Sequence, residues 1–176
     1  MLKSIKENFN RALYALIFSI ITIATLSFLS FKTPFGLFLT ASFGSSMVLL
    51  FGYPESPFAQ PKNVFFGHFI TSLFGILILN FLQVDQFLQI SIAVGLGIFA
   101  MILLGVTHPP AGGNPIVVIL GGASYDFLLN PIIFGSLIII IYAIIINRFI
   151  LKKNYPDIWK IQSFHCFKFN YFKYTS

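Results

Sequence analysis

The sequence predicts an all-α polytopic membrane protein: four long transmembrane helices plus two short, broken or re-entrant ones. Three observations carry that expectation. Hydrophobic residues make up 57% of the 176 positions and charged residues only 9%, whereas an ordinary soluble domain is about one quarter charged. The apolar residues are gathered into blocks near the ~20 residues that a helix needs to cross a hydrocarbon core. Nine of the 11 Lys and Arg residues lie toward the two ends, namely Lys3, Lys6, Arg11, Arg148, Lys152, Lys153, Lys160, Lys168 and Lys173. Basic flanks of this kind stay preferentially on the cytoplasmic side. The expected setting is therefore a bacterial-type inner (plasma) membrane, with both termini cytoplasmic and an even number of full crossings.

The formal charge of +6 does not indicate nucleic acid, because no soluble domain is available to present a binding groove. Cys166 is the single cysteine, so neither an intramolecular disulfide nor a cysteine metal cluster is expected.

The elements follow in order along the chain. The first apolar run, 12–31, comes after a basic segment as a signal peptide would, but it continues too far and lacks a small-residue cleavage site. It is read as a retained span. Segments 64–82, 88–106 and 132–150 are also unbroken and apolar. They lack the alternation of barrel strands, and a helix satisfies its own backbone in lipid. Segment 35–51 is shorter and carries Thr40, Ser42, Gly44, Ser45 and Ser46 before its apolar end. Segment 110–122 has Asn114 and Pro115 as an expected N-cap and first-turn pair, with Gly121-Gly122 as a stop. A helix from Pro115 to Gly121 rises only about 10 Å, against roughly 30 Å of hydrocarbon. The tail 155–176 alternates aromatic and basic residues, as in Phe167-Lys168-Phe169, which suits either a segment in the headgroup layer or a frayed end.

A transmembrane domain over 1–154 thus divides into halves of about 12–82 and 88–150. Gly44-Ser-Ser-Met-Val-Leu-Leu-Phe-Gly52 precedes Gly113-Asn-Pro-Ile-Val-Val-Ile-Leu-Gly121 by 69 positions. Each half reads long helix, short interrupted helix, proline-containing loop, long helix, the hydropathy symmetry of transporters built from repeats. If the short segments cross, there are six spans and the halves form an inverted repeat; if they re-enter, there are four and the halves are parallel.

Candidate chemistry centres on Thr107-His108-Pro109-Pro110-Ala111-Gly112-Gly113-Asn114-Pro115. An ionisable side chain within a membrane is costly unless it faces protein, water or substrate. Pro109 and Pro110 forbid ordinary helix continuation, and Gly112 and Gly113 let the backbone approach something small. Unpaired N–H groups where the short helix begins favour a small monovalent anion without any fixed charge. His108 can contact that substrate, carry a proton or hold the break in shape. Ser45 and Ser46 are the expected contributors from the other half. The expected structural motif comprises Pro109, Pro110, Pro115, Gln60, Pro61, Asn63 and His68, the last facing the interior or snorkelling. Gly67, Gly75, Gly95, Gly97 and Gly135 are expected to pack against neighbouring helices. No H-E-x-x-H, G-x-S-x-G or P-loop pattern is present, so no enzyme, cofactor or metal is expected.

Three blocks resemble the HPP family of integral membrane proteins. They are Gly44-Ser-Ser-Met-Val-Leu-Leu-Phe51, then Ser56-Pro-Phe-Ala-Gln-Pro-Lys-Asn63 with Gly67-His68, and finally His108-Pro-Pro-Ala-Gly112. Together with the helix from Pro131 to Asn147-Arg148 they cover about 33–156. Gly113-Asn114-Pro115 departs from the small residues expected after His-Pro-Pro-Ala-Gly. The resemblance implies a polytopic protein, and some members are regarded as nitrite transporters.

The combined expectation is a transporter of a small inorganic anion, nitrite first, bound between the halves. Transport would be passive or ion-coupled, and a homo-oligomer would suit so small a bundle. The alternatives are a membrane scaffold subunit docking through its tail and, less favoured, a membrane enzyme using His108.

Overall fold

The computed structural model describes residues 2–157, and every regular element among them is helical. The tail from residue 158 onward lies outside the described residues. Four helices are long and apolar enough to cross a membrane. We number the elements α1 (Leu2–Lys32), α2 (Ala41–Gly52), α3 (Pro61–Phe81), α4 (Gln86–Leu103), α5 (Asn114–Leu120) and α6 (Leu128–Ile150).

The two short elements are set off by local chemistry. After α1 the chain turns at Gly36, whose φ of 95° is open to glycine, and runs extended to Thr40. The backbone N–H of Phe38 then donates to Ser30 Oγ at 2.9 Å. That bond meets part of the requirement for partners on irregular backbone at membrane depth. After α4, Gly105 takes a φ of 62° while the Val106 N–H reaches back to the Met101 carbonyl, a glycine-based helix stop. His108 is extended, as a residue before proline must be. Pro109–Gly113 then form a 3-10 turn that leads into α5. In α6 the first two turns are π-helical around Pro131, which has no N–H to donate to the regular ladder.

Contacts along α1 fix the direction of each pass. Phe38 sits beside Ser30, whereas Tyr53 lies under the Arg11 guanidinium at 5.2 Å. The stretch of α1 from Ser30 to Arg11 rises about 28 Å, nearly the hydrocarbon thickness. The chain from Phe38 to Tyr53 therefore covers the depth of the bundle, first as extended backbone to Thr40 and then mostly as α2. α3 starts at the Arg11 end and runs back. The Asn63 amide at its start donates to the Thr107 carbonyl, and Gly75 farther along meets Pro115 and Val118. Segment 107–120 thus runs beside α3 in the same direction. α6 begins next to Gly36 through Asn130 and ends where Asn147 Nδ2 donates to the Leu50 carbonyl. The described residues pass through the bundle six times, and the second half runs opposite to the first.

The apolar core gathers Leu26, Phe43, Met47, Leu50, Phe51, Val64, Ile139, Ala143 and Ile146 from α1, α2, α3 and α6. Tyr155 also belongs to it, its hydroxyl donating to the Ala59 carbonyl at 2.8 Å. Glycine allows the closest approaches. A Cβ on Gly67 would stand 2.7 Å from His108 Cβ, and one on Gly135 would stand 2.6 Å from the Phe38 carbonyl oxygen. Gly75 and Gly97 are similarly close to Pro115 and Thr71, but Gly95 faces open space on an exposed face of α4, so the packing expected of it is not seen.

Candidate functional site

The depth-spanning stretches cross near the middle of α3, and there the structure buries a polar cluster. Ser46 on α2, His68 and Thr71 on α3, His108 before the 3-10 turn, and Asn114 on α5 are all fully buried, with Ser42 nearly so. The two imidazole rings meet edge to face with centroids 4.9 Å apart, and Phe43 closes against His68 at 5.0 Å. Ser46 Oγ bridges them, 3.0 Å from His68 Nε2 and 2.9 Å from His108 Nε2. His108 Nδ1 lies 2.7 Å from the Phe58 carbonyl. Asn114 Nδ2 faces His68 Nδ1 at 3.0 Å, the His68 carbonyl at 3.2 Å and Thr71 Oγ1 at 3.3 Å, while its Oδ1 accepts from Ser42 Oγ.

These contacts decide which atoms carry protons. The Phe58 carbonyl only accepts, so His108 Nδ1 is its donor. The Asn114 amide is oriented by the His68 carbonyl, against which its nitrogen and not its oxygen must stand. That nitrogen donates to His68 Nδ1, leaving the His68 proton on Nε2. Ser46 then accepts from His68 Nε2, and its single hydroxyl proton has two acceptors, the Ser42 carbonyl at 3.1 Å and His108 Nε2 at 2.9 Å. The polar atoms of both rings are satisfied without an ionised partner, as buried polar groups require.

Of the residues expected at the site, His108, Asn114 and Ser46 come together. Ser45 does not. Successive helical residues are about 100° apart, and the rotation that buries Ser46 leaves Ser45 exposed. Gly112 and Gly113 are half-buried immediately before Asn114, with nothing within 4 Å of where a Cβ would stand. Asn114 is not the N-cap of α5: Gly113 holds that position without a side-chain cap, because the amide is turned sideways to Ser42, His68 and Thr71. His68 faces the interior and is a full member of the cluster. Pro109 and Pro110 shape the 3-10 turn, and Pro115 opens α5. Pro61 opens α3, Asn63 pins Thr107, and Gln60 braces the loop, its Nε2 donating to the Pro54 and Ser56 carbonyls and its Oε1 accepting from the Asp157 N–H.

Ser42 and Thr71 were not expected. Their signal was the spacing of Ser42 to Ser46, four residues apart, and of His68 to Thr71, three apart, which places each pair on one helix face. Thr40 Oγ1 and Ser72 Oγ are also buried, with no hydrogen-bond partner. Among the described residues no three His, Cys, Asp or Glu side chains gather as a metal site needs.

A helical membrane protein with a buried, uncharged polar cluster between two interrupted segments is the class defined by this fold and site. The comparisons narrow it. The family described as "HPP, transmembrane region" matches residues 4–156, and the chain belongs to that family. Two transmembrane proteins of Dictyostelium discoideum are similar to it. One is 34% identical over 128 residues, covering 69% of this chain and 45% of the relative. The other is 32% identical over 130 residues, covering 70% of this chain and 42% of the relative. The chain thus spans less than half the length of these relatives. No solved structure matches it.

Proposed function

We propose that the chain is a transporter of a small inorganic anion, with nitrite the leading substrate, and that both termini are cytoplasmic. The observation that carries this reading is the chargeless polar cluster buried where the two interrupted segments cross. Polar groups at such depth are expensive to keep, and an apolar packing of the same helices would be simpler. Interrupted segments opposing each other between two halves are the setting in which secondary transporters bind substrate. In the described conformation Ser46 is bonded to both rings and Asn114 to Ser42, His68 and Thr71, so an anion enters by exchanging those bonds for its own. The half-buried backbone at Gly112 and Gly113, with nothing within 4 Å of where a Cβ would stand, gives a small ion room beside Asn114. This reading assigns the chain no chemical turnover and leaves Ser45 out of the site.

The test is reconstitution. Liposomes carrying the protein release nitrite faster than protein-free ones, and His108→Ala brings release back toward the protein-free rate while size-exclusion and thermal melting profiles stay folded. Equal release from both kinds of vesicle, across nitrite and other small anions, would overturn the proposal.

A further inference from the structure

The anion reading leaves a charge unbalanced. Among the described residues none of the side chains that touch the two rings carries a fixed charge: Ser46 and Phe43 come from α2 and Asn114 from α5. The loop before α3 contributes the Phe58 carbonyl, and the titratable group that each ring faces is the other ring. A lone anion taken to the middle of the bundle would lack a counter-charge, which low-dielectric surroundings penalise heavily. His68 and His108 are the groups within the cluster that can become cationic.

We infer that the cluster binds a proton together with the anion, His68 taking the proton up and His108 holding it, with Ser46 Oγ as the relay between the rings. The inference rests on the anion reading above. The geometry provides a directed chain when the Ser46 hydroxyl turns from the Ser42 carbonyl to His108: Ser42 Oγ to Asn114 Oδ1, Asn114 Nδ2 to His68 Nδ1, His68 Nε2 to Ser46 Oγ, and Ser46 Oγ to His108 Nε2. The one imidazole lone pair not aimed at Ser46 is on His68 Nδ1, and the Asn114 amide covers it. When that amide turns away, a proton adds to His68 Nδ1. The Nε2–H bond of His68 then breaks toward Ser46 Oγ as the Ser46 hydroxyl proton passes to His108 Nε2. One proton has entered. His68 is neutral again with its proton on Nδ1, and the single positive charge is on His108, at the start of the interrupted segment.

Two consequences follow for the cycle. His68 in its new form presents N–H to Asn114, so the amide cannot return to its starting bond until the proton leaves. The position of Asn114, and with it α5, is tied to the protonation state of the rings. A proton with a monovalent anion is also neutral cargo, so the membrane potential does not drive it.

The experiment uses the full chain in phosphatidylcholine liposomes with nitrite outside, a defined pH gradient, and the potential set by potassium and valinomycin. Protein-free vesicles are subtracted, because nitrous acid crosses lipid unaided. An inside-alkaline gradient drives protein-dependent uptake, and potentials of either sign leave its rate unchanged. Ser46→Ala lowers the pH-driven uptake about tenfold or more, the scale of a lost proton-transfer partner. Protein-dependent uptake that follows the potential and ignores the pH gradient would overturn proton coupling while leaving anion transport standing. pH-driven uptake unaltered in Ser46→Ala would overturn the relay. Absence of protein-dependent nitrite movement in every condition would overturn the anion reading and this inference with it. If Ser46→Ala fails to fold, the potential dependence of the natural chain decides alone.

Discussion

The two interrupted segments share an order of events but differ in what they bring to the centre. Residues 36–52 enter as extended backbone and finish as α2, offering hydroxyls from Ser42 and Ser46. Residues 104–120 enter extended, turn through Pro109–Gly113 and finish as α5, offering an imidazole and an amide. At the 69-residue spacing His108 corresponds to Leu39, Asn114 to Ser45 and Ser46 to Pro115; in the following long helix the spacing shortens, Gly67 matching Gly135 and Asn80 matching Asn147, so His68 corresponds to Ser136. Leu39 packs against the apolar core and Ser45 is exposed, while Ser136 is buried but donates to the Ile133 carbonyl of its own helix. The halves therefore repeat as backbone paths and not as chemistry. One half supplies Ser46 and His68, the other supplies His108 and Asn114, and neither contains the site alone.

The path comparison gives the largest predicted effect, because labelling is all or none. In a background with Cys166 replaced by Ser, single cysteines at Arg11 and Lys62 react with an impermeant thiol reagent from one face of the membrane. Cysteines at Asp85 and Asp126 react from the other. If the cysteine at Lys62 is labelled from the face opposite to that at Arg11, the chain does not cross between α1 and α3, and the six-pass path is wrong.

A second, smaller effect sharpens the comparison within α2. Ser46→Ala leaves His68 Nε2 and His108 Nε2 short of a partner in a sealed site, which costs about 1–3 kcal/mol of stability. Ser45→Ala on the exposed face changes stability by less than about 0.5 kcal/mol. Thermal melting in detergent, read together with nitrite flux, separates the two. Equal effects would mean that the face of α2 turned toward α3 has been assigned wrongly.

That pair of serines also shows where the sequence stops being legible. Unbroken apolar runs with no alternation can satisfy their backbone only as helices, so the four long spans were readable, although α1 begins at Leu2, ten residues ahead of the apolar run. Gly122 and the His108-Pro109 step punctuate the chain by local sterics, and local sterics are visible in a sequence, whereas the stop at Gly105 falls inside the run read as 88–106. The rotation of a short helix is not local. α2 has apolar residues on several sides, and only packing of Phe43 and Met47 into the core turns Ser42 and Ser46 inward and Ser45 outward. Asn114 illustrates the same limit. Its place before Pro115 suggested a cap, but the amide has three lateral partners on α2 and α3 that were 43 to 72 residues away in sequence. His68 was readable as an oddity within an apolar helix, and its partner across the bundle was not.

The smallest predicted effect concerns the asparagines near the ends of the two corresponding long helices. Asn147 is buried and its Nδ2 donates both to the Ala143 carbonyl in its own helix and across to the Leu50 carbonyl at 2.9 Å. The crossing bond ties α6 to the π-helical end of α2, where the irregular ladder leaves a carbonyl to be met. Asn80 corresponds to it in the first half, yet it is exposed and bonds only within its own helix, to the Ile76 carbonyl. Asn147→Ala strands the Leu50 carbonyl and removes about 1–2 kcal/mol. Asn80→Ala stays within about 0.5 kcal/mol. The measurement is the melting temperature of each variant in the same detergent. A loss at Asn80 as large as that at Asn147 would mean that the first half carries an equivalent tie. The asymmetry seen at the centre would then not extend to the ends of the bundle.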